Sequence, residues 1–201
     1  MEEYDDITLE IHSSFNDETD YLTFGFNIHV EDEDEDEGKK IGSLVIYVFD
    51  GNRMGKSDIL FLADGEIGGA ADAIHPFNIY SSFNECSLKK ILLTEDDEDD
   101  CIFKREDFDL YGKIAIIGYM YIDKDYRKQG IGSKALAQTI KYLELIGVSF
   151  ITVHPSPTGT QGEILLSKEE LNQFYEKNGF IIHRDKEVGI FEIEDVALSF
   201  V

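Results

Sequence analysis

Residues 127–133, Arg-Lys-Gln-Gly-Ile-Gly-Ser, join a strand pattern to a helix pattern through two glycines. Before them, residues 113–122 (Lys-Ile-Ala-Ile-Ile-Gly-Tyr-Met-Tyr-Ile) are rich in β-branched and aromatic side chains, with too few polar residues for a half-exposed strand. From residue 133 onward, apolar residues recur at the spacing of an amphipathic helix, which Gly147 is placed to end. The sequence therefore predicts a central strand covered on both faces, a polar turn at residues 123–126, and a helix.

Weaker patterns on either side extend this unit. Ser167 and Glu170 form a capping box, and the helix that it opens should stop at Asn178-Gly179. One or two short helices are predicted between residues 58 and 73, broken near Gly68-Gly69. Strands are predicted at residues 7–12, 21–30, 41–49, 148–154, 180–183 and 189–193.

Length and composition favour one domain over residues 1–201. The chain has 201 residues, of which 42% are hydrophobic, enough for one good core. Its longest near-apolar stretch, residues 114–122, is far shorter than the ~20 residues of a membrane helix, and no signal-like segment opens the chain. Cys86 and Cys101 match no disulfide framework and no metal motif. We therefore expect a cytoplasmic protein that holds no metal.

The charge is large, negative and unevenly distributed. The formal net charge is -24, which argues against binding to nucleic acid or to an anionic membrane. Residues 1–112 carry a net charge of -22, whereas residues 113–201 carry only -2. Residues 31–37 and 95–100 are unbroken acidic runs, which we expect to form solvated, mobile loops.

The glycines at the predicted helix start favour an anion site. A helix start offers unpaired N–H groups and the positive end of the helix dipole, so a phosphate is stabilised there. Bulk at Gly130 or Gly132 would hold the phosphate away from these amides. A tight strand-to-helix turn without a ligand is the alternative, and two glycines alone do not decide between the two.

Two motifs, in this order, resemble the GNAT N-acetyltransferase superfamily. The first is Arg127-x-x-Gly130-x-Gly132 after the strand, and the second is Phe-Tyr-Glu-Lys-Asn-Gly-Phe at residues 174–180. The resemblance covers residues 110–195 and, more loosely, residues 41–49. It implies an α/β (α+β) fold with a mixed, mostly antiparallel central sheet flanked by helices. An acidic extension with strands (1–40) and an elaborated first half with an acidic loop (41–112) would precede the coenzyme-binding core (113–195).

The resemblance further implies an enzyme of EC class 2.3.1 that transfers an acetyl group from acetyl-CoA to a primary amine by direct attack in a ternary complex. The backbone at Met120 and Ile122 would pair with the pantetheine arm as an extra strand. Tyr175 matches the family's tyrosine near the coenzyme sulfur and would protonate the departing thiolate; the alternative is a core aromatic at helical spacing. The loop that would wrap the pyrophosphate consists of Arg127, Lys128, Gln129, Gly130, Ile131, Gly132 and Ser133.

Departures from the family pattern leave the general base open. Many members carry a carboxylate on the central strand, but residues 114–121 contain none. His154, at the end of the following strand, is the candidate base near neutral pH, and a structural or solvent-exposed histidine is the alternative. Residues 155–162 replace the short Asn-containing segment common in the family, so contacts to the acceptor cannot be transferred.

The acidic first half predicts a cationic acceptor. A polyamine, an aminoglycoside-like amine or a basic protein segment would be concentrated by its field; alternatively, the acidic runs only keep the protein soluble. A function of another class also remains open, in which the fold is a catalytically weak module whose acidic surface binds a basic protein partner. No nucleic-acid or membrane partner is expected, and a homodimer is left open.

Overall fold

The structure is a computed structural model that describes residues 7–16, 20–32, 35–65, 70–80, 109–157 and 166–193. Its strands are β1 (Ile7–Asn16), β2 (Tyr21–Asp32), β3 (Glu35–Asp50), β4 (Asn78–Tyr80), β5 (Asp109–Tyr111), β6 (Lys113–Ile122), β7 (Val148–Val153), β8 (Ile181–His183) and β9 (Val188–Glu192). Its α-helices are α1 (Lys56–Gly65), α2 (Ile131–Leu145) and α3 (Lys168–Lys177), and two short 3-10 helices are Ala70–Ala73 and Lys124–Tyr126.

Seven strands form one mixed sheet in the order β1-β2-β3-β6-β7-β9-β8. The β6–β7 pair is parallel, and the other five pairs in this sheet are antiparallel. The helix α2 makes the crossover from β6 to β7, and β4 pairs with β5 in a small separate sheet. The predicted mixed, mostly antiparallel sheet flanked by helices is confirmed.

Apolar side chains cover both faces of the sheet. On one face, α1 and the 3-10 helix Ala70–Ala73 pack with buried residues such as Phe49 and Phe150. On the other face, α2 and α3 pack with residues such as Leu44 and Ala115. Each fully buried side chain of Leu or Phe size contributes about 1.5–3 kcal/mol relative to its exposed state. These two layers hold β6 and β7 at the centre of the molecule.

The first acidic run is part of a hairpin, so the predicted loop at residues 31–37 is wrong for the residues described there. β2 extends to Asp32, β3 begins at Glu35, and these two residues pair. Ladder hydrogen bonds join backbone groups, so a register set by the apolar residues upstream can continue into charged sequence. The second run, residues 95–100, lies outside the described residues. The two short helices predicted at residues 58–73 correspond to α1 and the first 3-10 helix.

β6 changes character at Gly118. The ladder with β3 pairs Tyr119 with Val45 and Ile117 with Ile46, which leaves Gly118 as an extra residue, a β-bulge. Residues 114–117 are buried, whereas the five residues from Gly118 onward are exposed or only partly buried. The predicted covering on both faces therefore holds for the first half of β6 and fails for the second.

The predicted capping box at the start of α3 is confirmed. The Glu170 backbone N–H donates to the Ser167 hydroxyl oxygen at 3.2 Å, and the Ser167 backbone N–H donates to the Glu170 carboxylate at 2.9 Å. Two otherwise unpaired helix-start donors are thereby satisfied. The cap fixes where α3 begins.

We expect Ser167→Ala to lower the free energy of unfolding by about 1 kcal/mol, because the N-cap acceptor is lost. Urea denaturation measures this as a lower midpoint with an unchanged slope. Ser14→Ala, at an exposed strand position, is the matched control and should have little effect. Equal losses in both variants would show that the cap contributes nothing specific.

Candidate active site

A cleft opens where β6 and β7 stop pairing. The parallel ladder ends with Ile117 opposite Val153, the last residue of β7, while β6 continues to Ile122. On its other edge β6 still pairs with β3 as far as Ile122. The cleft has a volume of about 770 Å³ and is lined by residues of β6, the loop after it, α2, β7 and α3. One edge of β6 therefore offers backbone groups to whatever occupies the cleft.

The bulge at the mouth of this opening requires glycine. A Cβ atom placed on Gly118 would run into the ring of Tyr47, which lies directly against the bulge. Gly118 is the first residue of β6 beyond the last pair with β7, and it lines the cleft. The extra residue and its small size thus coincide with the point where the strands separate.

The loop before α2 provides an open anion-type site. Lys128 (φ 62°) and Gly130 (φ 81°) both have left-handed backbone conformations, and such turns can point successive N–H groups into one concavity. A Cβ on Gly130 would meet no atom within 4 Å, whereas one on Gly132 would meet Phe174 at 3.4 Å and Met120 at 3.6 Å. Gly130 is the N-cap of α2 and no side chain caps the helix start. The first-turn amides are therefore left for a ligand.

The side chain of Arg127 ties this loop back to β6. Its Nε donates to the Ile122 carbonyl oxygen at 2.8 Å, and its guanidinium carbon lies 5.5 Å from the centre of the Tyr121 ring. Gln129 Nε2 likewise donates to the Asp125 carbonyl oxygen at 2.9 Å. Both side chains therefore hold the shape of the loop through bonds to neighbouring backbone carbonyls.

Tyr175 is both a core aromatic and a cleft residue, so the two alternatives from the sequence describe one side chain. It is only 6% exposed, and its ring packs at 5.1 Å from Phe174 and 5.2 Å from Phe180. It also lines the cleft. Burial raises the pKa of its phenol well above the usual range, because the phenolate would lose its hydration. The phenol is therefore protonated at neutral pH and can donate a proton.

His154 follows the last residue of β7 and lines the same cleft. Its Nδ1 lies 3.8 Å from a carboxylate oxygen of Asp72, and its Nε2 lies 3.8 Å from a carboxylate oxygen of Glu187. Its side chain is 25% exposed. It is neither deeply buried nor fully solvated, as an imidazole that exchanges protons requires.

Most of the predicted site residues come together, and two do not. The cleft lining includes Met120, Ile122, Arg127, Lys128, Gly130, Gly132, Ser133, His154 and Tyr175. Gln129 and Ile131 are not part of the lining: Gln129 bonds the preceding turn, and Ile131 is 1% exposed in the core. Sequence reasoning missed Tyr119, Tyr121 and the α3 face with Leu171 and Gln173. Leu171 was detectable because it lies four residues before Tyr175 on the same helix.

Two kinds of feature are absent from the described ranges. Among those residues, no group of three or more His, Cys, Asp and Glu side chains is arranged to hold a metal ion. No helix in the same part of the chain is long and apolar enough to span a membrane.

Residues 89–182, just under half of the chain, match the family model described as "Acetyltransferase (GNAT) domain". These residues are similar to a GNAT domain. The match includes β6, the loop before α2, β7 and α3, which together form the walls of the cleft. The GNAT match leaves residues 1–88 and 183–201 uncovered, and with them Asp72 and Glu187. No curated protein matches the chain.

The chain is distantly similar to several solved structures. One is AtaTR bound with AcCoA (12% identity, 89% of this chain and 75% of that one, TM-score 0.41). Another is an agmatine N-acetyltransferase in its apo form (9% identity, 84% and 76%, TM-score 0.41). A third is arylalkylamine N-acetyltransferase 2 from Aedes aegypti (14% identity, 84% and 73%, TM-score 0.40).

Proposed function

We propose that this chain is a cytoplasmic N-acetyltransferase of EC class 2.3.1 that moves an acetyl group from acetyl-CoA to a primary amine while both substrates are bound. The observation that supports this most is the unpaired edge of β6, which runs between the anion-type loop and Tyr175 along one cleft. The family match supports the acetyl-transfer chemistry.

The described residues fit an elongated donor that carries phosphates at one end. The amides at the start of α2 and the side chain of Lys128 would hold the pyrophosphate. The free backbone groups near Met120 would bond the pantetheine arm as a strand would. The Ile122 carbonyl oxygen already accepts from Arg127, so it is the less available of the two predicted backbone positions. Acetyl-CoA supplies an activated thioester carbonyl.

Two side chains then handle the protons of the transfer. The amine nitrogen forms its bond to the acetyl carbon, and the carbon–sulfur bond breaks. Tyr175 donates its phenolic proton to the departing sulfur, which a raised pKa permits because the phenol is protonated beforehand. His154 accepts the proton that the attacking nitrogen loses. The products are the N-acetylated amine and free coenzyme A, after which solvent returns a proton to Tyr175 and takes one from His154.

We also propose that the acceptor is cationic. The acidic runs at residues 31–37 and 95–100 are not the reason for this proposal. The run at residues 31–37 ends close to the anion-type loop: the Lys39 ammonium lies 5.6 Å from the centre of the Tyr126 ring, and the Asp123 N–H donates to the Ile41 carbonyl oxygen at 2.8 Å. This hairpin therefore leads toward the loop that would hold the donor's phosphates, and its position does not support attraction of the acceptor. The carboxylates beside His154 support it instead.

We expect a polycationic amine to have a several-fold higher kcat/KM than a monoamine of equal nucleophilicity at low salt. High salt should remove the preference, because the Debye length falls from about 30 Å at 0.01 M to about 3 Å at 1 M. The acids of residues 31–37 and those of residues 95–100 are replaced by Gln and Asn, separately and together. With both runs neutralised, residues 1–112 still carry a net charge of -9. Neutralising 31–37 alone should lower the KM for acetyl-CoA and leave acceptor preference intact. A neutral or anionic acceptor that wins at every salt concentration would contradict the cationic acceptor.

The function itself is tested by coenzyme A release in a screen of amines. Release that requires both acetyl-CoA and an amine supports the proposal. If acetyl-CoA binds but no amine or basic peptide stimulates release, the chain is a coenzyme-binding module without this activity. If acetyl-CoA at millimolar concentration does not bind, the proposal is wrong.

A further inference from the structure

Three separate elements place charged groups around the His154 ring. Asp72 belongs to the 3-10 helix Ala70–Ala73, Glu187 to the turn between β8 and β9, and Lys168 to the first turn of α3. Asp72 lies 3.8 Å from Nδ1 and Glu187 lies 3.8 Å from Nε2. Ala73 is 1% exposed against the core, so the backbone that carries Asp72 is fixed although its carboxylate is largely exposed.

The two carboxylates are not equivalent. Lys168 forms an ion pair with Glu187 and holds the pKa of that carboxyl below its usual value, with a smaller contribution from His154. The charge of Glu187 is therefore largely compensated. Among the described residues, the carboxylate of Asp72 forms no ion pair other than that with His154. Asp72 is thus the stronger attractor of an imidazole N–H.

We propose that Asp72 is a positioning residue that holds the Nδ1–H of His154 and so leaves Nε2 as the basic nitrogen for the acceptor. This inference rests on the proposed function, and neither the family match nor the sequence motifs include Asp72. The separation of 3.8 Å is longer than a hydrogen bond, and such contacts commonly shorten when substrates bind. After Nε2 has taken the proton from the amine, Glu187 faces the new N–H and solvent then removes the proton.

The experiment compares wild type with Asp72→Asn, Glu187→Gln and the control Asp64→Asn, an exposed acid on α1. Protein with 15N-labelled histidine is studied by NMR at about 0.15 M salt, which screens distant charges. The readout is the tautomer of the neutral His154 ring, because the anion at Asp72 favours a proton on the nearer ring nitrogen. Glu187→Gln and Asp64→Asn should leave the tautomer unchanged. In wild type the neutral ring should carry its proton on Nδ1. In Asp72→Asn both tautomers should be populated, with the single proton exchanging between Nδ1 and Nε2.

Kinetics then link the ring to the reaction. The kcat/KM for the amine should fall in Asp72→Asn, because Nε2 then carries the proton in part of the molecules, with an unchanged KM for acetyl-CoA and partial rescue by Asp72→Glu. An unchanged tautomer in Asp72→Asn, the same tautomer change in Glu187→Gln, or a changed tautomer with an unchanged kcat/KM would each overturn the proposal. If wild type acetylates no amine, the proposed function fails, and the tautomers seen by NMR still decide whether Asp72 holds the ring.

Discussion

Tyr175→Phe is expected to lower kcat by about 10²–10⁴-fold, the usual contribution of a positioned proton donor. The affinity for acetyl-CoA and the free energy of unfolding should change little, because the ring and its packing against Phe174 and Phe180 remain. Steady-state kinetics with a good acceptor, together with calorimetric binding, separate the two quantities. Equal losses in kcat and in kcat/KM would place the hydroxyl in the transition state rather than in substrate binding.

The pH dependence gives a second check on the same group. The pKa of Tyr175 lies above the ordinary value of about 10, so wild-type activity should not decline below pH 10 through loss of this proton. Tyr142→Phe is the control, since Tyr142 packs on Phe24 and Phe26 and is not part of the cleft lining. If Tyr175→Phe and Tyr142→Phe both turn over at the wild-type rate, the departing sulfur takes its proton from solvent.

The double variant Gly130→Asp with Gly132→Asp should lose binding of acetyl-CoA. Two carboxylates would lie where the amides at the start of α2 are free, and they would repel the phosphates. An Asp at the left-handed residue 130 is also strained, so an uncharged pair of the same size is needed to separate strain from charge. Wild type should gain about 2.7 kcal/mol of stability at a ligand concentration 100 times the Kd, and the double variant should gain none. Thermal unfolding with and without ligand measures the difference.

The matched control is Gly130→Asn with Gly132→Asn, which adds the same bulk without charge. Asparagine tolerates the left-handed conformation of residue 130 better than most residues do. If charge dominates, the Asn pair should bind more tightly than the Asp pair, and higher salt should narrow the gap. If the Asp pair binds as well as wild type, the phosphates lie elsewhere.

Local sequence signals were sufficient to predict features that depend on residues within a single helix and its cap. The capping box at Ser167 and Glu170 places the start of α3, and Gly130 and Gly132 mark the start of α2. The motif that contains Tyr175 led to a residue that does line the cleft. In each case the deciding residues lie within one turn of helix, where spacing and geometry are directly related.

Features that depend on distant contacts could not be found in this way. Asp72, His154 and Glu187 come from three elements, and no spacing in the sequence connects them. The continuation of the ladder into the acids at residues 31–37 depends on the register of β2 and β3, which charge patterning does not show. For the same reason, only the fold shows which end of the sheet carries residues 31–37.

The bulge at Gly118 decides which face of the sheet each later side chain of β6 lies on. Because one residue is added, Ile117 and Met120 contact the same side of the sheet although they are three positions apart. Deleting Gly118 would remove the bulge and make the pairs Ile117–Ile46 and Tyr119–Val45 consecutive, so Tyr119 and Tyr121 would keep their present face. Keeping all the residues but pairing them without a bulge would instead turn Tyr119 and Tyr121 toward α2, and the core and cleft side chains would exchange places. Aligning a sequence that lacks the bulge to this chain without a gap at Gly118 would therefore compare residues on opposite faces of the sheet.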